Sequence, residues 1–273
     1  VDSMHDKASH SEEDFESAFG LRGKLFWVLG GAGYLGQSLV KMLASAGARV
    51  ICADLGSKSK DFVGQEELFP QVIPVSLDIA EEEQVEAFTS LLSSEFGVPN
   101  GVVNLTYAAS GKAFADLSAA DFNRVNEIGL TAGFVFGRKV CELMAQAGGG
   151  SFVTFGSMYG MVSPDPAVYE APMNPNPIEY GVGKAGIIQL TKYFAMQYGK
   201  RGVRCNCVSP GPFPGPEVRH SHPEFVQRLA DKTLLKRVGR AHEVAGAVCF
   251  LLSSASSFMT GHNLVVDGGW TTM

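Results

Sequence analysis

The chain has little of what marks a membrane, nucleic-acid or exported protein. It holds no apolar run near the ~20 residues that span a bilayer. Lys and Arg number 22 against 28 Asp and Glu, for a net charge of −6. That balance provides no general basic surface, so neither nucleic acid nor membrane is an expected partner. Val1 to Gly20 carries Glu12, Glu13, Asp14 and Glu16 without the apolar stretch of a secretory signal, and reads as a flexible polar arm. The five cysteines, Cys52, Cys141, Cys205, Cys207 and Cys249, are an odd count with no Cys-x-x-Cys pair. This argues against a disulfide framework and for buried, reduced thiols in a cytoplasmic protein. His220-x-His222 lacks a third ligand at suitable spacing, so no metal site is expected.

What is present is ordered by apolar runs that end in glycine or a carboxylate. The 273 residues are 45% hydrophobic and 18% charged, ample for one large core. Lys24 to Leu29, Ala48 to Ala53, Gln71 to Leu77, Gly101 to Leu105, Ser151 to Phe155, Val203 to Val208 and Asn263 to Val266 read as strands. Helical patterns follow the first glycine turn through Ala46, and cover Ala80 to Phe96, Asp121 to Ala147, Ile178 to Lys200 and Ala241 to Ser253. The helix from Asp121 to Ala147 is expected to be one unbroken element, capped by Ser118-x-x-Asp121. Five prolines between Ser157 and Tyr180 exclude regular structure there. Alternating strands and helices predict an α/β fold: a Rossmann-type doubly wound parallel sheet with helices on both faces, one domain over residues 21–273.

Two clusters carry chemistry. Gly31-x-Gly33-x-x-Gly36 follows the first strand and opens a helix, the context in which glycines let a backbone approach a pyrophosphate. Asp54 ends the second strand, where a carboxylate accepts from the ribose hydroxyls of adenosine and repels a 2′-phosphate. NAD is therefore expected over NADP, with Lys58 and Lys60 as the opposing signal and a loop or cap carboxylate as the plainer reading of Asp54. Asp78 and Ile79 end the third strand where an adenine would lie; a helix cap is the other reading of Asp78. In Tyr180-Gly181-Val182-Gly183-Lys184 a phenol and an ammonium lie one helical turn apart, so the ammonium is expected to pull the phenol toward neutrality as an acid/base. Ser157 ends the fifth strand upstream of them.

With the glycine turn, Asp54, Asp78-Ile79, Asn104, Gly156-Ser157, Tyr180-x-x-x-Lys184, Asn206 to Gly211 and Gly261 to Gly269 in this order, residues 21–270 resemble the short-chain dehydrogenase/reductase family. The resemblance implies catalytic roles for Ser157, Tyr180 and Lys184. It also implies cofactor contacts from Gly31, Gly33, Tyr34, Leu35, Gly36, Asp54, Asp78, Ile79, Asn104, Tyr180, Lys184, Pro210, Gly211 and Phe213. A homotetramer or homodimer through Asp121–Ala147 and Ile178–Lys200 is implied as well. Four positions depart from the family pattern: the glycine spacing resembles the sugar-nucleotide epimerase branch, Asn104 is followed by Leu105-Thr106-Tyr107, Gly129 stands where a catalytic Asn is usual, and no threonine follows Pro210-Gly211. The insertion Met161 to Glu179 is similar to a flagellin-modification and gluconate-dehydrogenase-like subgroup. This suggests a sugar-derived or polyhydroxylated substrate, with Tyr107, Tyr159, Glu170 and Arg219 as candidate contacts, Glu170 otherwise being a solvated loop carboxylate. The expected activity is NAD(P)-dependent interconversion of a secondary alcohol and a ketone. The alternatives are an epimerase or dehydratase that retains its NAD, and a non-enzymatic cofactor-binding protein.

Overall fold

The apolar runs become strands whose alternate side chains feed two separate cores. In the protein, a computed structural model describing residues 14–68, 70–171 and 173–272, they are β1 (Leu25–Leu29), β2 (Arg49–Asp54), β3 (Val72–Ser76), β4 (Gly101–Asn104), β5 (Gly150–Phe155), β6 (Val203–Pro210) and β7 (Asn263–Val266). They form one parallel sheet in the order β3-β2-β1-β4-β5-β6-β7. Phe26 of β1 lies level with Val50 on one side and Gly101 on the other. Because successive side chains point to opposite faces, Trp27, Leu29 and Ile51 join one cluster while Phe26, Val28 and Val50 join the other.

Helices cover both faces, as the sequence predicts. On one side α1 (Tyr34–Ser45) and α9 (Ala241–Leu252) contribute Leu39, Val40, Leu43, Val244, Val248 and Leu251. On the other, α3 (Glu82–Phe96), α5 (Ala132–Gln146) and α6 (Ile178–Tyr198) contribute Val85, Phe88, Phe136, Val140 and Phe194. Helix α2 (Lys58–Gln65) links β2 to β3 and buries Phe62 and Val63. Each buried Phe, Val or Leu contributes roughly 1.5–3 kcal/mol by leaving water. Among the described residues no helix is long and apolar enough to cross a membrane.

Three expectations need correction. The long helix is interrupted: α4 (Ala119–Asn126) is followed by a wide turn, Glu127–Thr131, before α5 begins. Its start is the expected capping box, in which Asp121 N–H donates to Ser118 Oγ at 3.2 Å and Ser118 N–H to Asp121 Oδ2 at 3.0 Å. Across the wide turn the Ala132 N–H reaches back five residues to the Glu127 carbonyl. Gly129, a poor helix former, sits at its centre, and such π turns gather at functional sites. Second, the polar stretch Glu217 to Arg240, to which the sequence patterns assign no helix, folds into α7 (Pro216–Ser221) and α8 (Pro223–Lys232). Arg228 of α8 donates to the Val168 carbonyl at 2.8 Å, and Lys232 pairs with Asp165, stapling the proline-rich insertion to this helix. Met158, Val168, Leu229, Val238 and Trp270 form a third apolar cluster beneath them. Third, of the polar arm, residues 1–13 lie outside the described residues, but residues 14–19 are helical, with the Phe19 ring 6.5 Å from Phe250.

Candidate active site

The strand order reverses between β1 and β4, and an open α/β sheet binds ligands in the crevice this leaves at its carboxyl ends. A cleft of about 1070 Å³ lies there, running from Asp54, Asp78 and Ile79 to Ser157, Tyr180 and Lys184.

One wall is the glycine turn. Gly30 has φ +73°, a left-handed conformation that favours glycine, and turns the chain from β1 toward α1. A Cβ at Gly36 would collide with the Gly30 carbonyl oxygen and stand 2.8 Å from Gly31 Cα, so α1 can rest on β1 only with hydrogen there. The resulting cradle is open, and Gly33, Tyr34, Leu35 and Gly36 line it ahead of α1. Asp54 faces this turn: its Oδ2 accepts from Ala32 N–H at 3.0 Å and its Oδ1 from Leu55 N–H at 2.8 Å. A carboxylate has about four lone-pair sites, so capacity remains on both oxygens for the hydroxyls of a ribose. Lys58 lines the cleft beside it. The cradle, the carboxylate and the cleft's length fit a nicotinamide dinucleotide.

Not every predicted cofactor residue reaches the cleft: Gly31 is absent from the lining, its N–H donating to the Ala53 carbonyl and its Cα packed toward Cys52 Sγ of β2. Ile79, Pro210, Gly211 and Phe213 line it, as does Asp78, whose Oδ1 also accepts from Ala80 N–H at 3.0 Å as a cap. Asn104 does not: it is buried, and its Oδ1 accepts from the backbone and hydroxyl of Thr106 at 3.0 and 2.6 Å. Asn104 thus holds the β4 exit loop, and Leu105 and Thr106 form the wall instead.

At the other end two glycine-bearing segments interlock. A Cβ at Gly160 would lie 2.8 Å from both Lys184 C and Ala185 N, so the turn Met158–Gly160 lies directly on α6 and brings Ser157 opposite Tyr180. Lys184 is almost wholly buried; its Nζ donates to the Phe155 carbonyl at 2.8 Å and lies 5.5 Å from the centre of the Tyr180 ring. Burial lowers its pKa to about 8, with Cys207 opposing. Burial raises the Tyr180 phenol, with Ser157 pulling it down and Tyr107 pushing it up. The expected descent of Tyr180 toward neutrality is therefore not met in the protein alone: loss of solvation outweighs an ammonium that is turned toward a carbonyl.

The candidate substrate residues divide. The Tyr107 ring stands edge-on to Tyr180, centroids 6.1 Å apart, and lines the cleft. Glu170 lies outside the lining and pairs with Arg228 at 3.1 Å. Arg219 is also outside, donating to the carbonyls of Pro214 and Gly239 at 2.9 and 2.5 Å. The Tyr159 hydroxyl is 2.7 Å from that of Tyr169, and Tyr159 does not line the cleft either. Sequence alone named Tyr159 and Glu170 through the insertion's resemblance to a subgroup and Arg219 by its place in the polar stretch; in the fold each is engaged by another residue of the protein. Sequence reasoning passed over Ser110 and Ile128, both in the lining. Ile128 belongs to the wide turn, and nothing in its local pattern indicates an inward-facing role.

Among the described residues no cluster of His, Cys, Asp and Glu could hold a metal. All five cysteines are free, with Cys141 Sγ and Cys205 Sγ 3.8 Å apart.

Known proteins are similar to this chain in sequence and fold. The family profile described as enoyl-(acyl carrier protein) reductase matches residues 31–271. A cis-4-hydroxycyclohexanecarboxylate dehydrogenase of Sinomonas cyclohexanicum is 31% identical over 248 residues, covering 90% of this chain and 96% of its own. An uncharacterized short-chain type dehydrogenase/reductase of Sinorhizobium fredii is 31% identical over 259 residues; the match takes in 92% of this chain but 44% of that longer protein. The crystal structure of a short chain dehydrogenase from Leptospira borgpetersenii with bound NAD+ superposes with a TM-score of 0.81 at 31% identity, covering 94% and 95% of the two chains. With a seven-stranded parallel sheet, a glycine turn facing a carboxylate and Ser157, Tyr180 and Lys184 in one cleft, the chain belongs to the short-chain dehydrogenase/reductase family, whose members are NAD(P)-dependent oxidoreductases.

Proposed function

We propose that this protein interconverts a secondary alcohol and a ketone with NAD, Tyr180 serving as the acid/base. The observation that carries the reading is the convergence of Ser157, Tyr180 and Lys184 in the cleft that also holds the glycine turn and Asp54. In the oxidative direction Tyr180 Oη takes the alcohol proton; in the reductive direction it returns that proton to the carbonyl oxygen. Ser157 Oγ donates a hydrogen bond to the same oxygen as charge develops there. Lys184, anchored by the Phe155 carbonyl, favours the phenolate form of Tyr180. The bound nicotinamide would supply or accept the hydride. Gly33, Tyr34, Leu35 and Gly36 would hold the pyrophosphate at the N-terminus of α1, Asp54 the adenosine ribose, and Pro210, Gly211 and Phe213 the nicotinamide end. Asp54 next to that ribose favours NAD, because a 2′-phosphate there would meet a carboxylate.

The substrate reading is a ring bearing a secondary hydroxyl, sugar-derived or otherwise hydroxylated. Tyr107, 65% exposed, offers an aromatic wall beside Tyr180. Ser110 and Thr106 add hydroxyl groups to the same lining. With Glu170 and Arg219 engaged elsewhere, a strongly charged substrate is not favoured. Exposed Phe134, Tyr193 and Met196 on α5 and α6 support pairing of copies as a dimer or tetramer, which sedimentation checks.

The deciding experiment follows NADH across a panel of sugar acids, polyols, aminosugars and cyclohexanols, with Tyr180→Phe alongside. Turnover that disappears in the variant supports the mechanism; turnover that survives overturns it. The glycine spacing Gly30-x-x-Gly33-x-x-Gly36 favours a second reading, an epimerase or dehydratase, which predicts NAD that co-purifies and no net NADH in that assay. The non-enzymatic reading is set aside by membership in an oxidoreductase family with the three groups converging in one cleft.

A further inference from the structure

Behind Lys184 lies a second cavity, about 10 Å³, between α6, the wide turn and the loop after β4. It has room for a single water. Ala108, Gly129, Glu179, Tyr180, Gly183 and Lys184 line it. Its space is owed to Gly129: a Cβ there would meet nothing nearer than the Ala108 nitrogen at 3.9 Å. A side chain at that position would fill part of it.

Glu179 is the unusual member. Its side chain is among the largest fully buried in the protein, with 0% exposure. Oε1 accepts from Ser110 N–H at 3.0 Å and from the Ser110 hydroxyl at 2.5 Å. Oε2 has no hydrogen-bond partner among the described residues, and neither has Oδ1 of nearby Asn126, which a Cβ at Gly183 would approach to 3.0 Å. A buried carboxylate oxygen without a partner is costly and calls for water. Glu179, Tyr180 and Lys184 thus border one water-sized space.

We propose that a water in this cavity bridges Glu179 Oε2 and Lys184 Nζ, making Glu179 the positioning residue of a relay that returns protons to Tyr180 through Lys184. The proposal rests on the reading of Tyr180 as the acid/base. In the reductive direction, Tyr180 gives its O–H proton to the carbonyl oxygen and becomes phenolate. The Lys184 ammonium gives one N–H proton to the phenolate, and the bridging water, held by Glu179 Oε2, gives a proton to the amine and takes one in turn from solvent water. Solvent reaches that water past Ser110. Each transfer breaks one O–H or N–H bond and forms another, so the net consumption is one proton from water for each hydride delivered. Lys184, lowered to about 8 by burial, can both lose and regain a proton near neutral pH.

A crystal structure of the protein soaked with NAD, at a resolution that shows waters, tests the geometry without a substrate. A water within hydrogen-bond reach of Glu179 Oε2 and Lys184 Nζ is expected; an empty cavity, or Oε2 bonded to another protein group, overturns the proposal. With the alcohol found in the panel, Glu179→Gln should lower kcat by about tenfold or more while KM for NAD stays within twofold. Adding Gly129→Asn to that variant should restore most of kcat, because an amide in the vacated space holds the water in another way. A purely structural role for Glu179 would not be rescued so, and wild-type kcat in Glu179→Gln, or a loss that Gly129→Asn does not restore, overturns the relay. If Glu179→Gln fails to fold, Glu179→Asp serves in its place. Activity in Tyr180→Phe would sink the reading of Tyr180 itself; an inactive Tyr180→Phe beside a fully active Glu179→Gln would sink the relay alone.

Discussion

Gly36→Ala adds one methyl group at the point where α1 rests on the glycine turn, and its effect can be worked from the backbone. The new Cβ would overlap the Gly30 carbonyl oxygen and lie 2.8 and 2.9 Å from Gly31 Cα and C. All of these are backbone atoms, so no side chain can rotate aside and α1 must move outward. Overpacking of this kind costs about 1–3 kcal/mol, and rigid neighbours place it at the upper end. The helix gains back about 1 kcal/mol from alanine over glycine, leaving a net loss of about 2 kcal/mol. In a domain of this size that is a fall in Tm of about 4–8 °C. The displaced cradle should also weaken NAD by about tenfold or more, since about 1.4 kcal/mol of lost contact is a factor of ten. Calorimetric melts with and without NAD, and titration of NAD against intrinsic fluorescence, read both effects. The kcat at saturating NAD should change little, because Tyr180 and Ser157 lie at the other end of the cleft. Unchanged Tm and NAD affinity would refute the argument that close approach demands glycine here.

Further outcomes test the rest of the site. Asp54→Ala should raise KM for NAD by about tenfold or more, the loss expected for hydrogen bonds to a charged group, and should narrow the NAD-to-NADP ratio of kcat/KM; a ratio that stays put rejects Asp54 as the discriminator. Tyr180→Phe should cost about 10²–10⁴ in kcat with NAD binding retained, as fluorescence titration shows. Burial depresses Lys184 from 10.5 to about 8. Below pH 8 the charge is buried at full cost, roughly 3 kcal/mol, and between pH 8 and 10.5 the unfolded chain binds more protons, so that cost fades as pH rises. Denaturant titrations should therefore show the stability gap between Lys184→Met and wild type shrinking over this range; a constant gap rejects the buried ammonium. Glu170→Ala should change stability by less than about 1 kcal/mol, as expected of an exposed ion pair, and shift substrate KM by less than twofold; a larger KM effect would put Glu170 back at the substrate.

Much of the fold was legible because it is written in local patterns. Lys24 to Leu29 reads as a strand buried on both faces, and the structure places β1 at Leu25–Leu29 with strands on either side. Tyr180 and Lys184 are legible as a pair because four residues make one helical turn. The wide turn Glu127–Thr131 was not, since periodicity across Asp121 to Ala147 continues through it and only the backbone bond from Ala132 to Glu127 reveals it. The polar segment 216–240 carried charge, and Pro216 and Pro223 masked the helices that begin at them, Pro216–Ser221 and Pro223–Lys232.

By itself, then, the sequence determined the α/β class, the glycine turn, the carboxylate at the end of β2 and the Ser157, Tyr180 and Lys184 set. The glycine turn and the Tyr180–Lys184 pair depend on spacing within a few residues, the α/β class on the alternation of strands and helices, and Ser157 joins the pair through the family resemblance. Tertiary structure alone decided which polar groups are free to act. Arg228 takes up Glu170 from 58 residues away in the chain, and the Gly239 carbonyl takes up Arg219 from 20. Burial sets Lys184 at about 8 and raises Tyr180, and it encloses Glu179, which the chain presents as an ordinary acid in the first turn of α6. The physical reason is that desolvation and hydrogen-bond partnership belong to the packed environment, where residues distant in sequence meet, and not to the order in which they are joined.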